Sequence, residues 1–262
     1  MTPLRIYSIT EYLLKRKGRH SIHSPFVYDF LTRVIQDSTQ YDFYERFKKA
    51  KKTVLHNKNV IETVDFGAAS GNKQFATYRI QVNKLAAKHM GREKNYRLLY
   101  RMARYFKPNN ILELGTSTGM ATIALAAGQE TGRIVTIEGC ASVSNVAESL
   151  FHKMDFHRIE LVIGNFDKVL GTTLSTFESL DMAYFDGNHR KLPTLDYFNQ
   201  CLPNAHENSV FIFDDIHWSD EMESAWEQIK GRPEVSISID LFHFGIVFFR
   251  KGVEKQHFIL KH

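Results

Sequence analysis

The residues best able to do chemistry gather at a few places in the second half of the chain. Ile111-Leu112-Glu113-Leu114-Gly115-Thr116-Ser117-Thr118-Gly119 runs from an apolar stretch through an acidic residue into a turn with two glycines. Glycines permit a tight bend and close backbone approach to a ligand. A helix opening after such a turn offers free N–H groups to an anionic or polar partner. Glu138 lies 23 residues after Gly115 and closes the next apolar run. A carboxylate there suits a ribose diol, whose two hydroxyls can donate to it. Asp186 closes a later run, and Asp214-Asp215 close another. Three carboxylates meeting at one place would repel unless a cation or protons compensate. Oxygen ligands of this kind suit Mg²⁺, which would bind substrate oxygens and lower a hydroxyl pKa. The alternative is that Asp214 and Asp215 cap a helix starting near Ser219 while Asp186 only shapes a pocket. His189 and His217 follow the two acidic turns, and a histidine can take a hydroxyl proton near neutral pH. His189 is the candidate base and His217 a candidate metal neighbour. Trp218 is either a pocket wall or an ordinary aromatic at a helix start.

These residues need a scaffold that delivers them to strand ends. From Pro108-Asn109-Asn110 onward, strand-length apolar runs alternate with helical segments. The strands expected are 111–114, 134–138, 161–163, 182–186, 210–214, 235–240 and 242–249. Helices are expected at 120–127, 144–154, 168–179, 193–202 and 221–229 between the first six. Alternation of this kind predicts a mostly parallel sheet covered by helices on both faces. The last two strands have no room for a crossover and should pair antiparallel. The first part reads helical: Ile6 to Lys17, then a helix opened by Ser24-Pro25 and running to about Asp37, then Tyr41 to His56. Residues 59–64 are a short strand or loop, and 72–106 are helical with a break near Gly91.

Composition narrows the class. The chain has 262 residues, 43% of them hydrophobic, which is enough for a buried core and argues against a wholly disordered chain. No run approaches the roughly 20 apolar residues that cross a bilayer. The N-terminus does not read as a signal peptide, and two cysteines, Cys140 and Cys201, support neither a disulfide framework nor a cysteine-based zinc site. A cytoplasmic location is expected. The net charge of +5 is unevenly spread: residues 1–109 hold 22 Lys+Arg against 8 Asp+Glu, and residues 110–262 hold 12 against 21. The basic part either recruits an anion or simply solvates its helices. No aromatic pattern of a nucleic-acid module accompanies the densest cluster, Lys48, Lys49, Lys51 and Lys52.

Three chemistries could use the glycine turn. A dinucleotide dehydrogenase would want G-x-G-x-x-G, and Ser117 replaces the middle glycine. A serine hydrolase would want G-x-S-x-G, which Gly115 to Gly119 match literally. A methyltransferase using S-adenosylmethionine would want an acid two residues before the first glycine, which Glu113 supplies. Upstream helices and the lack of an HGGG-type oxyanion loop count against the hydrolase. Glu138 suits both nucleotide binders, while the closing strand pair and the absence of a second nucleotide-binding half favour the methyltransferase. A similar stretch, Val64-Asp65-Phe66-Gly67-Ala68-Ala69-Ser70-Gly71, is read as a loop, because no strand ending in an acid follows at the expected distance.

Over about residues 95–250 the chain resembles the class I S-adenosylmethionine-dependent methyltransferases, and more narrowly the small-molecule O-methyltransferases of the catechol and macrocin types. The likeness rests on ILELGTSTG, on Glu138 closing IVTIE, on Gly164-Asn165-Phe166, on YFDGNH and on VFIFDDIH. It implies a Rossmann-like α/β sheet of seven strands, the last antiparallel, over residues 109–262. A basic helical extension over 1–108 would cover the pocket and select the substrate. It also implies roles. Gly115, Thr116, Ser117 and Gly119 would pass beside the methionine part of the cofactor with Glu113 supporting them, and Glu138 would take the ribose hydroxyls. Asn165 and Phe166 would flank the adenine. Asp186 would border the cofactor and share the catalytic chemistry with His189, and Asp186, Asp214 and Asp215 would hold Mg²⁺. The acceptor would be a small hydroxylated molecule, acidic if the basic region attracts it. Methylation of RNA or protein, and a non-catalytic cofactor-binding module, are the competing readings. A homodimer is compatible with all of them.

Overall fold

The computed structural model describes residues 3–64 and 77–262. Two compact units divide the chain: Met1–Gln36 with Leu170–His262, and Asp37–Val169.

The first unit opens with α1 (Pro3–Lys15) and α2 (Pro25–Phe30), the latter continued by a π-helical turn over Leu31–Ile35. Ser24 caps α2 by accepting from the Val27 amide, and Pro25 occupies the first helical position, where no N–H is missed.

The second unit begins with α3 (Asp42–Leu55), then β1 (Val60–Val64), β2 (Thr77–Gln81), α4 (Val82–His89) and α5 (Glu93–Phe106). The helical stretch expected over 72–106, with its break near Gly91, is thus corrected at its start within the described residues. Thr77–Gln81 form a strand antiparallel to β1, with Ile80 opposite Ile61. Short-range alternation of β-branched and aromatic residues prevails there over helical spacing, because a cross-strand partner is available. The expected break near Gly91 is present between α4 and α5. Residues 65–76, which hold most of the second glycine-rich stretch, lie outside the described residues. Lys107, left-handed at φ 48°, ends α5.

Next come β3 (Asn110–Leu114), α6 (Met120–Gly128), β4 (Arg133–Glu138), α7 (Ala141–Lys153), β5 (Ile159–Ile163) and α8 (Phe166–Leu174). These three strands run parallel in the order β3-β4-β5, with Glu113 opposite Thr136 and Glu138 opposite Ile163. Seven of the nine residues of α6 are buried, Met120 to Ala126, as expected of a helix apolar on nearly all sides.

The first unit resumes with β6 (Leu180–Phe185), α9 (Lys191–Cys201), β7 (Ala205–Asp214), α10 (Asp220–Gly231), β8 (Ile237–Asp240), β9 (Phe244–Phe248) and β10 (Gln256–Ile259). Its strands are ordered β10-β8-β9-β7-β6. β6 and β7 are parallel, and β9 is antiparallel to both β7 and β8. Its core is aromatic: Phe185 stacks on Phe213 with centroids 4.5 Å apart, and Phe198 meets Phe213 edge-on. Such ring pairs add to the area they bury.

Among the described residues the two units hold eight strands of mixed sheet, three in the second unit and five in the first. The expected seven correspond to β3 through β9, and the antiparallel strand falls where the closing pair was predicted. The eighth, β10, lies beyond it and is parallel to β8. Only four residues long and behind the polar stretch 251–255, it carries little periodic signal of its own. Its place is set by partners: Gln256 N donates to Ser236 O, Leu260 N to Asp240 O, and the buried Tyr12 hydroxyl to Leu260 O at 2.6 Å.

Candidate active site

In the second unit, the turn after β3 carries three left-handed residues, Gly115 (φ 107°), Ser117 (φ 48°) and Gly119 (φ 84°). Gly115 N and Thr116 N both donate to Ile137 O, at 3.0 and 3.2 Å, and fold the turn over the end of β4. Ser117 N donates to Glu138 Oε2 at 2.8 Å, while Cys140 N donates to Oε1 at 3.0 Å. One carboxylate thus ties the glycine turn to the start of α7. A Cβ on Gly119 would lie 2.6 Å from Phe151 Cε1, so helix α7 packs against the turn at a distance only glycine allows.

Below the turn, Glu113 is fully buried. Its Oε2 accepts from Thr122 Oγ at 2.5 Å and Thr136 Oγ at 2.6 Å, and Thr136 also meets Thr116 Oγ at 2.6 Å. Strand register explains the contact, because Glu113 and Thr136 are direct partners across β3 and β4. The sequence reading marked Glu113 and Thr116 but not Thr122 or Thr136. The first turn of α6, which carries Thr122, and the parallel register, which carries Thr136, would have found them.

Glu138 is pushed above the ordinary carboxylate range by burial, against which the amides of Cys140, Ser117 and Gly139 pull downward. Each of its oxygens accepts one backbone N–H at hydrogen-bond distance, and an ionised carboxylate has about four acceptor sites. The donor set therefore leaves capacity for two hydroxyls of a diol, which fits a ribose. Asn165 caps the next strand's helix: its Oδ1 accepts from Asp167 N at 2.9 Å and its carbonyl from Lys168 N and Val169 N. Phe166 follows as the first residue of α8 and is half-buried.

The acidic group belongs to the first unit. Asp186 and Asp214 stand at the ends of β6 and β7, one residue past and at the end of their strands respectively. The Tyr184 hydroxyl lies 3.1 Å from Asp186 Oδ2 and 3.1 Å from Asp214 Oδ2. One hydroxyl proton cannot serve two ionised carboxylates, so the arrangement is satisfied when one carboxyl is protonated and donates to the phenol oxygen. Burial raises both acids, and Asp215 adds repulsion to each. His189 Nε2 is 3.6 Å from Asp186 Oδ1 and pulls that acid down.

Asp215, left-handed at φ 52°, has Oδ1 3.9 Å from His243 Nδ1. Among the described residues, no group of three or more His, Cys, Asp or Glu could hold a metal ion. The three-carboxylate magnesium site expected from the sequence is therefore not assembled. Nor does the capping alternative hold, since Ser219 caps α10, its Oγ accepting from Met222 N at 3.3 Å.

His217 is not a metal neighbour. Its Nδ1 meets Glu223 Oε1 at 2.9 Å and its Nε2 meets Asp240 Oδ2 at 2.8 Å, while its ring stacks on Phe242. Burial alone would lower its pKa, but Asp240 and Glu223 outweigh it and hold the ring protonated to higher pH. Trp218 is about half exposed, as is the larger part of Leu192 near the start of α9. The Ser117 hydroxyl required by a hydrolase meets no histidine among the described residues; only the amide of Ser117 is engaged, by Glu138.

Residues 112–216 match a family model described as a methyltransferase domain. A curated relative, a transmembrane O-methyltransferase of Propithecus coquereli, is 35% identical over 85 residues, and the matched segment spans 31% of this chain and 31% of the relative. Among the described residues of this chain, no helix is long and apolar enough to cross a membrane. Solved structures share the fold. The O-methyltransferase TomG from Streptomyces achromogenes, in complex with SAM, aligns with TM-score 0.54 and 24% identity over 62% of this chain and 82% of its own. An O-methyltransferase from Bacillus cereus in complex with SAH aligns with TM-score 0.57 and 19% identity over 86% and 97%. The SAH-bound methyltransferase PaMTH1 of Podospora anserina aligns with TM-score 0.59 and 14% identity over 88% and 97%.

Proposed function

We propose that this chain, of which residues 112–216 match a methyltransferase domain, transfers a methyl group from S-adenosylmethionine to an oxygen of a small hydroxylated molecule. The observation that carries the reading is the Glu138 carboxylate, which braces the left-handed glycine turn through Ser117 N and keeps acceptor capacity for a ribose diol. In this reading Gly115, Thr116, Ser117 and Gly119 lie along the methionine part of the cofactor, and Glu113 holds the turn from below. Asn165 and Phe166 flank the adenine, with Asn165 fixed by its capping bond to Asp167 N.

When bound, the cofactor supplies an electrophilic methyl group on sulfur. The protein's part is to position and to handle charge. In this reading His189 would accept the acceptor's hydroxyl proton, and Asp186, whose Oδ1 is 3.6 Å from His189 Nε2, would steady the imidazolium that results. Among the described residues, Asp186, Asp214 and Asp215 do not form a donor set that fits a magnesium ion. Residues 1–108 would act as the substrate-selecting region, and their positive charge favours an acidic acceptor.

Calorimetric titration with S-adenosylhomocysteine tests the core of this reading. Saturable binding supports it, and a blank titration with the folded protein would remove it. A second reading draws on the exposed Lys49, Lys52, Lys84 and Lys88 of α3 and α4. A methyltransferase acting on RNA would bind it at low salt and lose affinity steeply as salt rises. The absence of RNA binding at low salt leaves the small-molecule reading in place. A non-catalytic module would bind the cofactor tightly yet methylate none of a broad panel of acceptors.

A further inference from the structure

We propose that Tyr184 is a positioning residue whose hydroxyl closes the Asp186–Asp214 pair to divalent cations, so that the acceptor is oriented without one. The inference rests on the methyltransferase reading for its acceptor, but its metal-binding consequence stands on the geometry alone.

Strand register brings the two carboxylates side by side. β6 and β7 are parallel with Phe185 opposite Phe213, and the acids are the next residue on each chain. Two carboxylates so placed need something positive or a proton between them. Side chains two apart on a strand share a face, so Tyr184 and Asp186 project from the same side of β6. The Tyr184 ring is 2% exposed and meets Phe244 edge-on with centroids 5.9 Å apart, which leaves the phenol little freedom. Its hydroxyl therefore sits at 3.1 Å from both Oδ2 atoms.

A magnesium ion would need those same lone pairs at about 2.0–2.1 Å and several more oxygens in near-octahedral array. Of the other two oxygens of the pair, one is hydrogen-bonded and one faces a histidine. Asp214 Oδ1 accepts from Asp215 N at 2.9 Å, and Asp186 Oδ1 faces His189 Nε2 at 3.6 Å. The third acid, Asp215, has Oδ1 3.9 Å from His243 Nδ1. Three of the pair's four carboxylate oxygens thus meet a protein group at hydrogen-bond distance, and the Tyr184 hydroxyl takes the bridging place. With no cation to polarise the acceptor hydroxyl, its orientation falls to the Asp186–His189 pair.

The test is Mn²⁺ binding followed by electron paramagnetic resonance on the full chain, with and without S-adenosylhomocysteine. The wild type is expected to leave the free-ion signal unchanged. Tyr184→Phe keeps the ring and removes the hydroxyl. It is expected to gain a bound Mn²⁺ signal, and its melting temperature should rise with added Mg²⁺ where that of the wild type does not. A merely structural tyrosine would produce neither gain. Mn²⁺ bound by the wild type and lost in Asp214→Asn would overturn the proposal, as would a folded Tyr184→Phe variant that binds none. Should Tyr184→Phe fail to fold, the wild-type pair of measurements still decides. Failure of S-adenosylhomocysteine to bind would count against the methyltransferase reading and leave the manganese result standing on its own.

Discussion

Replacing Glu138 by glutamine separates the two tasks assigned to it. The carboxylate accepts from Ser117 N at 2.8 Å on one oxygen and from Cys140 N at 3.0 Å on the other. A glutamine has one acceptor oxygen, so whichever way its amide turns, an NH₂ group faces a backbone N–H. One hydrogen bond to a charged group is lost, about 1.5–3 kcal/mol. For a chain of this size each kcal/mol moves the melting temperature by about 2–4 °C, so Glu138→Gln should melt roughly 3–12 °C lower. The ribose would lose a charged acceptor of similar worth, which corresponds to about 10- to 150-fold weaker S-adenosylhomocysteine binding. Scanning fluorimetry and isothermal titration read the two effects separately. A lower melting temperature with unchanged affinity would mean that Glu138 braces the turn without touching the ribose, and the cofactor assignment would fail. Unchanged values in both would refute the clamp itself. The pH response follows from the same group. Burial raises the Glu138 pKa above its usual 4.5, so cofactor affinity that depends on the ionised form is lost as pH falls through that raised value. Glu138→Gln should flatten this dependence.

Three further outcomes are expected. Gly119→Ala must place a Cβ 2.6 Å from Phe151 Cε1 at φ 84°, so it should cost about 1–3 kcal/mol of stability and weaken S-adenosylhomocysteine binding; chemical denaturation and calorimetry check both. The His217 pKa is raised by Asp240 and Glu223 against the pull of burial, so its contribution to stability is complete below its usual 6.5 and lost as pH rises through the folded value. Urea midpoints should therefore fall from acidic to alkaline pH in the wild type and fall less in His217→Gln; equal slopes would exclude this role. A serine-directed phosphonate should label the wild type and Ser117→Ala alike, and labelling abolished by the substitution would revive the hydrolase.

Much of the scaffold was legible because its signals are local. Alternating apolar runs and helical stretches from Asn110 to Phe248 answer to β3 through β9, and Ser24-Pro25 marked the start of α2. Elements whose shape depends on a partner were not legible: β2 exists because β1 pairs with it, and β10 because β8 supplies an edge. Among the candidate residues, Glu113, Gly115, Gly119 and Glu138 could be marked from type and spacing, since a glycine turn between strand and helix has few conformations open to it. The acidic group could not be resolved the same way. Three carboxylates in a sequence suggest a cation, yet their neighbours decide whether one fits.

The linear order of residues alone determined that strands would end in a glycine turn at 115–119 and in carboxylates at 138, 186 and 214, because backbone periodicity and steric permission act over a few residues. Tertiary structure alone decided what those carboxylates face. Glu138 meets two backbone amides, Asp186 and Asp214 meet one tyrosine hydroxyl, and Asp215 meets His243. The charge and hydrogen-bonding of a buried acid depend on atoms a few ångströms away, and those atoms come from positions up to 30 residues apart in the chain.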